Sequence, residues 1–179
     1  MKLYDFGPAA NTQRVRVFLA EKGIDVPVEQ LNVREDRQFA GPYTSMNPFH
    51  CVPFLELDDG TVIAESILIC RYLEELHPEP SLFGRTAEER AVVDMWLRRF
   101  ELDGFIPLLH VLQNHAPTFA GKVVPGTRTD LPQSPYMVQR GKEVAAIFFN
   151  RVKPLLAGRD YITLDPLPFR ISAAASLCG

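Results

Sequence analysis

The chain has 179 residues, 46% hydrophobic and 23% charged, with a net charge of −3 and a pI near 5.8, which is enough chain for one large domain or two small ones of ordinary globular composition. The acidic balance argues against a nucleic-acid binder, which would carry a basic face, and no run approaches the roughly 18 apolar residues of a membrane span. Three widely spaced cysteines, Cys51, Cys70 and Cys178, form neither a disulfide framework nor a metal-ligand cluster; with no signal-peptide-like run in "MKLYDFGPAANTQR", a reducing cytoplasm is expected.

In chain order, "KLYDF" (2–6) is β-prone and ends at Gly7-Pro8. Val15, Phe18 and Leu19 then repeat at helical spacing, with Arg14, Arg16, Glu21 and Lys22 on other faces. Gly23 stands where a helix-terminating glycine belongs. Residues 26–33, "VPVEQLNV", predict a second strand, and 34–48 a polar loop with a short helix. Phe54–Leu57 and Thr61–Ile63 predict a hairpin around Asp59-Gly60. A helix is expected from Ser66 to about Leu76, with Ile69, Leu73 and Leu76 inward. The order is β-α-β-(loop or helix)-β-β-α.

Past "HPEPSLFGR" (77–85) the strand signals stop. Thr86 and Glu89 make a capping box. The helix they open is expected to put Val92, Met95, Trp96 and Phe100 on one face. Gly104 and Pro107 are expected to kink or interrupt it before "LLHVL". Residues 116–135 read as a long loop. Tyr136–Leu156 reads as a helix with Val144, Phe148, Val152 and Leu155 in register.

Several residues carry chemistry by type and position. A proline opening a strand, as Pro53 does, donates no hydrogen bond there; it is either an ordinary edge-strand proline or a functional device. Ser66 heads a predicted helix, whose N-terminal N–H groups and partial positive charge attract carboxylates, although it can equally be a plain N-cap. Cys51 is either a small apolar residue or a redox group. His110 and His115 are five apart, poor spacing for one helix face, so no metal site is expected.

The Val52-Pro53 strand opening, Glu65-Ser66, "LYDFGPAANTQRVRVFLAEKGI" and "LEELHPEPSLFGR" together resemble the cytosolic glutathione transferase family, in a bacterial, theta-like or nu-like branch. The resemblance spans about residues 2–162. It implies an α/β thioredoxin-like N-terminal domain (βαβαββα, 1–77), a linker (78–85) and an all-α helical domain (86–179). It further implies that Pro53 is cis and that Val52 pairs its backbone with the cysteinyl residue of glutathione. Ser66 would bind the γ-glutamyl carboxylate and Glu65 the ammonium. His50, with Gln38 as a weaker candidate, would meet the glycyl carboxylate. Alignment on "RVRVFLAEKG" puts Ala9 or Ala10 where a catalytic Ser or Cys would lie. The expected thiol-activating residues are then Asn11, Thr12 and, last, Tyr4. A thiol of ordinary pKa near 8.5 must be held as thiolate, the nucleophilic form, and nearby donors can do this.

The resemblance also implies a cytoplasmic homodimer, with glutathione as co-substrate, a small electrophile as second substrate and a role in detoxification. No metal, nucleic acid or membrane partner is expected. Glu101 and Asp103 could reach across the dimer interface. The alternatives are a glutathione-dependent disulfide reductase or peroxidase, to which Cys51 points, and a non-catalytic binding protein. After "LLAGRDYI" the tail "TLDPLPFRISAAASLCG" departs from the family. Arg170 and Ala173 stand where the capping Ser/Thr and Asp are expected, so an incomplete helical domain of low stability is anticipated.

Overall fold

The computed structural model describes residues 1–121, 131–159 and 162. They form two compact units that divide between Pro80 and Ser81.

In the first unit the elements run β1 (Lys2–Asp5), α1 (Ala10–Lys22), β2 (Val28–Gln30), α2 (Gly41–Met46), β3 (Phe54–Glu56), β4 (Val62–Ala64) and α3 (Ser66–Leu76). The sheet order is β2-β1-β3-β4. β1 is parallel to β2 and antiparallel to β3, and β3 is antiparallel to β4. This is the thioredoxin-like βαβαββα arrangement. Across β1 and β3, Leu3 faces Leu55 and Tyr4 faces Phe54. All four are buried, and alternate strand residues point to opposite faces, so both faces of the sheet are covered. The Tyr4 and Phe54 rings stack at 4.5 Å and pack with Leu31, Tyr43, Met46 and Val52.

Helix α1 buries Val15, Phe18 and Leu19 and packs along α3, which buries Ile69, Cys70 and Leu73. Gly23 ends α1 at φ 64°, the left-handed conformation glycine adopts without penalty. Two expectations are corrected here. Strand β2 covers only Val28–Gln30 rather than 26–33: Pro27 has no N–H to donate, and the Asn32 side chain accepts from the Arg34 N–H to start a 3-10 turn. Leu76, in the last turn of α3, is exposed.

The second unit is helical: α4 (Ala87–Arg99), a π-helical segment (Phe100–Phe105), α5 (Ile106–His115) and α6 (Pro135–Val152). The capping box at Thr86 and Glu89 is formed. Val93 is the buried residue of α4 and Met95 is exposed, so the inward face lies off the expected one. The α-helix is interrupted before "LLHVL", as expected, by a π-helical segment: α4 ends at Arg99 and α5 begins at Ile106. Pro107 cannot donate to the carbonyl four residues back, and the wider turn before it absorbs the misfit, with Ile106 N–H bonding Glu101 O. On α6, Gly141, Ala145, Phe148 and Val152 are buried. Leu155 lies beyond the α-helix in a 3-10 turn, whose 120° step rotates it outward, and is exposed. The tail from 163 onward, with Arg170 and Ala173, and residues 122–130 of the expected loop lie outside the described residues.

A methyl group on Gly141 would sit 2.5 Å from the Pro107 carbonyl oxygen and 2.8 Å from Val111 Cγ2. Alanine in a helix interior usually gains about 0.5–1 kcal/mol over glycine. Here the obstacle is backbone, so overpacking at about 1–3 kcal/mol decides the sign. Gly141→Ala is expected to lower the urea midpoint; an unchanged or raised midpoint would show that α5 and α6 are not this close.

Candidate functional site

The loop between β1 and α1 is closed by Thr12. Its buried hydroxyl donates to Phe6 O at 2.6 Å and shares the same hydrogen with Ala9 O at 2.7 Å. Thr12 therefore has no surface to offer a ligand thiol, and its place is structural. Ala9 is the N-cap residue of α1 and makes no side-chain cap, so Asn11 does not cap the helix either. Asn11 sits half-buried in the first turn, its Oδ1 accepting from Arg14 Nη1 at 2.9 Å. Tyr4 is turned elsewhere: its hydroxyl donates to Glu56 Oε2 at 2.8 Å. Burial, reinforced by the Glu56 carboxylate, pushes its phenol up.

Helix α3 begins at Ser66. Glu65 is its N-cap residue, at φ 72° and without a side-chain cap, so Ser66 is the first helical residue rather than the N-cap. The Ser66 hydroxyl is buried and accepts from Arg14 Nη1 at 2.5 Å. One guanidinium nitrogen thus joins Asn11 to Ser66. The sequence pattern places Arg14 only on a polar face of α1; its length lets it reach a second helix, which no local signal reveals. Behind it, burial pushes the Cys70 thiol up to about 12 against the opposing pull of Arg14.

Residues 38–53 hold a second group. His50 Nδ1 lies 3.3 Å from Gln38 O, and its ring packs on Phe39 at 4.8 Å. His50 adopts φ 54°. Gln38 is buried, and its Oε1 has no partner. An amide turned over would present its NH2 there instead, so the side chain can meet either a ligand N–H or a carboxylate oxygen. Asn47, legible in the sequence only as a loop residue, organises this stretch. It is buried; its Nδ2 donates to Cys51 O at 3.0 Å and Cys51 Sγ at 3.5 Å, and its Oδ1 accepts from Phe49 N–H at 3.1 Å. Burial pushes the Cys51 thiol up, with Glu65 adding to the effect and Asn47 opposing it. The Val52-Pro53 bond is cis, and the Val52 side chain packs on the Tyr4, Leu31 and Phe54 cluster.

Chemically, the start of α3 combines a buried hydroxyl, a guanidinium and a positive helix end. That set suits a carboxylate. Asn11, whose amide oxygen accepts from the same guanidinium, adds its NH2 as a further donor. In the second unit, Trp96, Phe100, Phe148 and Phe149 form a chain of aromatic contacts at 5.1–6.3 Å. Glu101 and Asp103 pair with Arg98 and Arg99 of their own helical run. Among the described residues no group of three His, Cys, Asp or Glu could hold a metal ion, and no helix is long and apolar enough to cross a membrane.

Comparison with known proteins agrees with this architecture. A profile of the glutathione S-transferase N-terminal domain matches residues 10–76. The structure superposes on a glutathione S-transferase domain-containing protein of Marinobacter aquaeolei with a TM-score of 0.82 and 32% identity, covering 99% of this chain and 85% of that one. Glutathione S-transferase 2 of Saccharomyces cerevisiae is 29% identical over 167 residues, covering 92% of this chain and 69% of its own length. Maleylacetoacetate isomerase of Rattus norvegicus is 38% identical over 95 residues, covering 52% of this chain and 44% of the isomerase, so the chain spans less than half the length of that relative. With a solved relative above 30% identity covered over most of its length, the chain belongs to the glutathione S-transferase family.

Proposed function

We propose that the first unit binds glutathione and that the protein transfers it to a small electrophile, acting as a cytoplasmic homodimer. The observation that carries this reading is the start of α3, where the buried Ser66 hydroxyl and a guanidinium meet at a helix N-terminus. Ser66 and the α3 N–H groups would hold the γ-glutamyl carboxylate, and Glu65 the ammonium. Val52, preceding Pro53, would pair its backbone with the cysteinyl residue, like an added strand. Gln38 and His50 would receive the glycyl end; the unpartnered Gln38 Oε1 is the kind of open buried group that a ligand satisfies.

Asn11 is the thiol-activating residue on this reading, donating its amide N–H to the sulfur. Glutathione supplies the nucleophile: its sulfur bonds to the electrophilic carbon, the leaving group departs with its electron pair, and the thiol proton goes to solvent. A second reading is favoured by the 38% identity to maleylacetoacetate isomerase. The same thiolate, adding reversibly to a conjugated double bond, would isomerise it with no net loss of glutathione. Consumption of glutathione distinguishes the two.

Calorimetry with the full chain is expected to show millimolar or tighter glutathione binding. Ser66→Ala should weaken it by about 10-fold or more, the value of a hydrogen bond to a charged group. Asn11→Ala should leave affinity within about 3-fold while lowering turnover with an aryl halide by about 10- to 100-fold. No binding by the wild type would end the glutathione reading, and an unaffected Ser66→Ala would move the carboxylate elsewhere.

The reductase alternative needs a reactive protein thiol, and burial acts against both Cys51 and Cys70. Peptide mapping after iodoacetamide treatment near neutral pH should find both alkylated at least about 10-fold more slowly in the folded protein than in urea, since the thiolate is the reacting form. Rapid labelling of folded Cys51 would revive the redox reading.

A further inference from the structure

Resting on the glutathione reading of the first unit, we propose that Arg14 is a positioning residue that couples the thiol end of the site to its carboxylate end. The geometry is specific. Nη1 carries two hydrogens; one goes to Asn11 Oδ1 at 2.9 Å and the other to Ser66 Oγ at 2.5 Å. Asn11 is on the first turn of α1 and Ser66 heads α3, so a single nitrogen joins two helices.

A guanidinium only donates. The Asn11 group facing it must therefore be the amide oxygen, and the NH2 is what remains to meet a sulfur. The same logic applies to Ser66. Its oxygen accepts a charged hydrogen bond from Arg14, so its own hydrogen is directed to another acceptor. A hydroxyl polarised in this way donates more strongly. Arg14 thus turns both residues into donors aimed at anions, a thiolate and a carboxylate. It is half-buried, where its charge is less screened than on an open surface. A lysine in its place keeps the charge and loses the planar fork that sets the two directions.

The test uses the full chain, with Arg14→Met and Arg14→Lys compared to the wild type. Three quantities are measured: affinity for glutathione, affinity for S-methylglutathione, and the ultraviolet absorbance of the thiolate at saturating glutathione. S-methylglutathione keeps the carboxylates and has no ionisable thiol, so it reads the carboxylate end alone. Arg14→Met should weaken S-methylglutathione about 10-fold and glutathione more than that, with at least about half of the bound thiolate signal lost, as a pKa rise of one unit near neutrality requires. Arg14→Lys should recover S-methylglutathione affinity while the thiolate signal stays low. In the Arg14→Met background, Asn11→Ala should no longer change the thiolate signal, the non-additivity expected of residues acting as one unit.

Equal weakening of both ligands with the thiolate signal intact would reduce Arg14 to a simple anion contact and overturn the coupling. Unchanged affinities would overturn it as well. If Arg14→Met fails to melt cooperatively, Arg14→Lys alone decides, because a full thiolate signal in that variant contradicts the proposal. A wild type that binds neither ligand refutes the glutathione reading itself, a result distinct from binding that is indifferent to Arg14.

Discussion

One buried hydroxyl fixes the geometry on which the candidate site depends. Thr12 Oγ1 serves two carbonyls of the β1–α1 loop, Phe6 O and Ala9 O. Thr12 is fully buried, and a buried hydroxyl left without an acceptor costs about 1–3 kcal/mol, which holds it against the loop. With Thr12 inward, the phase of α1 is set. Val15, Phe18 and Leu19 follow it into the core. Asn11 and Arg14, three residues apart, are brought onto one neighbouring face. The hydroxyl that is closed to ligand chemistry is therefore what puts the open groups where they meet.

The same helix shows why a polar face is easy to misread. The sequence offers Arg14, Arg16 and Lys22 only as residues off the apolar stripe of α1. In the structure each has a destination in another element: Arg14 at Ser66, Arg16 at the buried carboxylate of Asp5, and Lys22 at Glu74 and at the His77 carbonyl. Long side chains lay their stems along apolar surface and carry the charge to a distant partner. Periodicity records where a Cα–Cβ bond points and says nothing of where a guanidinium ends. Helix existence, the Gly23 stop, the Thr86 capping box and the Asp59-Gly60 hairpin are local signals, and they were legible. The partners of Arg14 and Asn47 are set by tertiary packing, and they were not.

The second unit marks a finer limit of the same kind. Helical spacing identified α4 and α6, yet Val93 rather than Met95 is buried in α4, and Leu155 falls outside the α-helical register. Each successive residue turns the side chain by about 100°, so a shift of one position moves a residue from core to rim. The expected interruption ahead of Pro107 is present, but as a π-helical turn, a form that a simple breaker rule does not specify. Close approach of α5 and α6 at Gly141 is likewise a property of two helices together. A lone glycine in a helical pattern shows it only as a local cost.

The two sulfur environments of the first unit can be compared directly. Around Cys51 the protein places burial and the Glu65 carboxylate, both of which favour the neutral thiol, against one opposing hydrogen bond from Asn47. Around Cys70 burial dominates Arg14 and holds the thiol at about 12. At the start of α1 it places the opposite set, an amide whose oxygen is held by a guanidinium and whose remaining donors suit an anion. On the proposed reading the nucleophilic sulfur is brought by the ligand. The "HCVP" segment then contributes backbone and packing rather than a reacting atom. Asn47, by fixing Cys51 O and Phe49 N–H, determines how that backbone is presented.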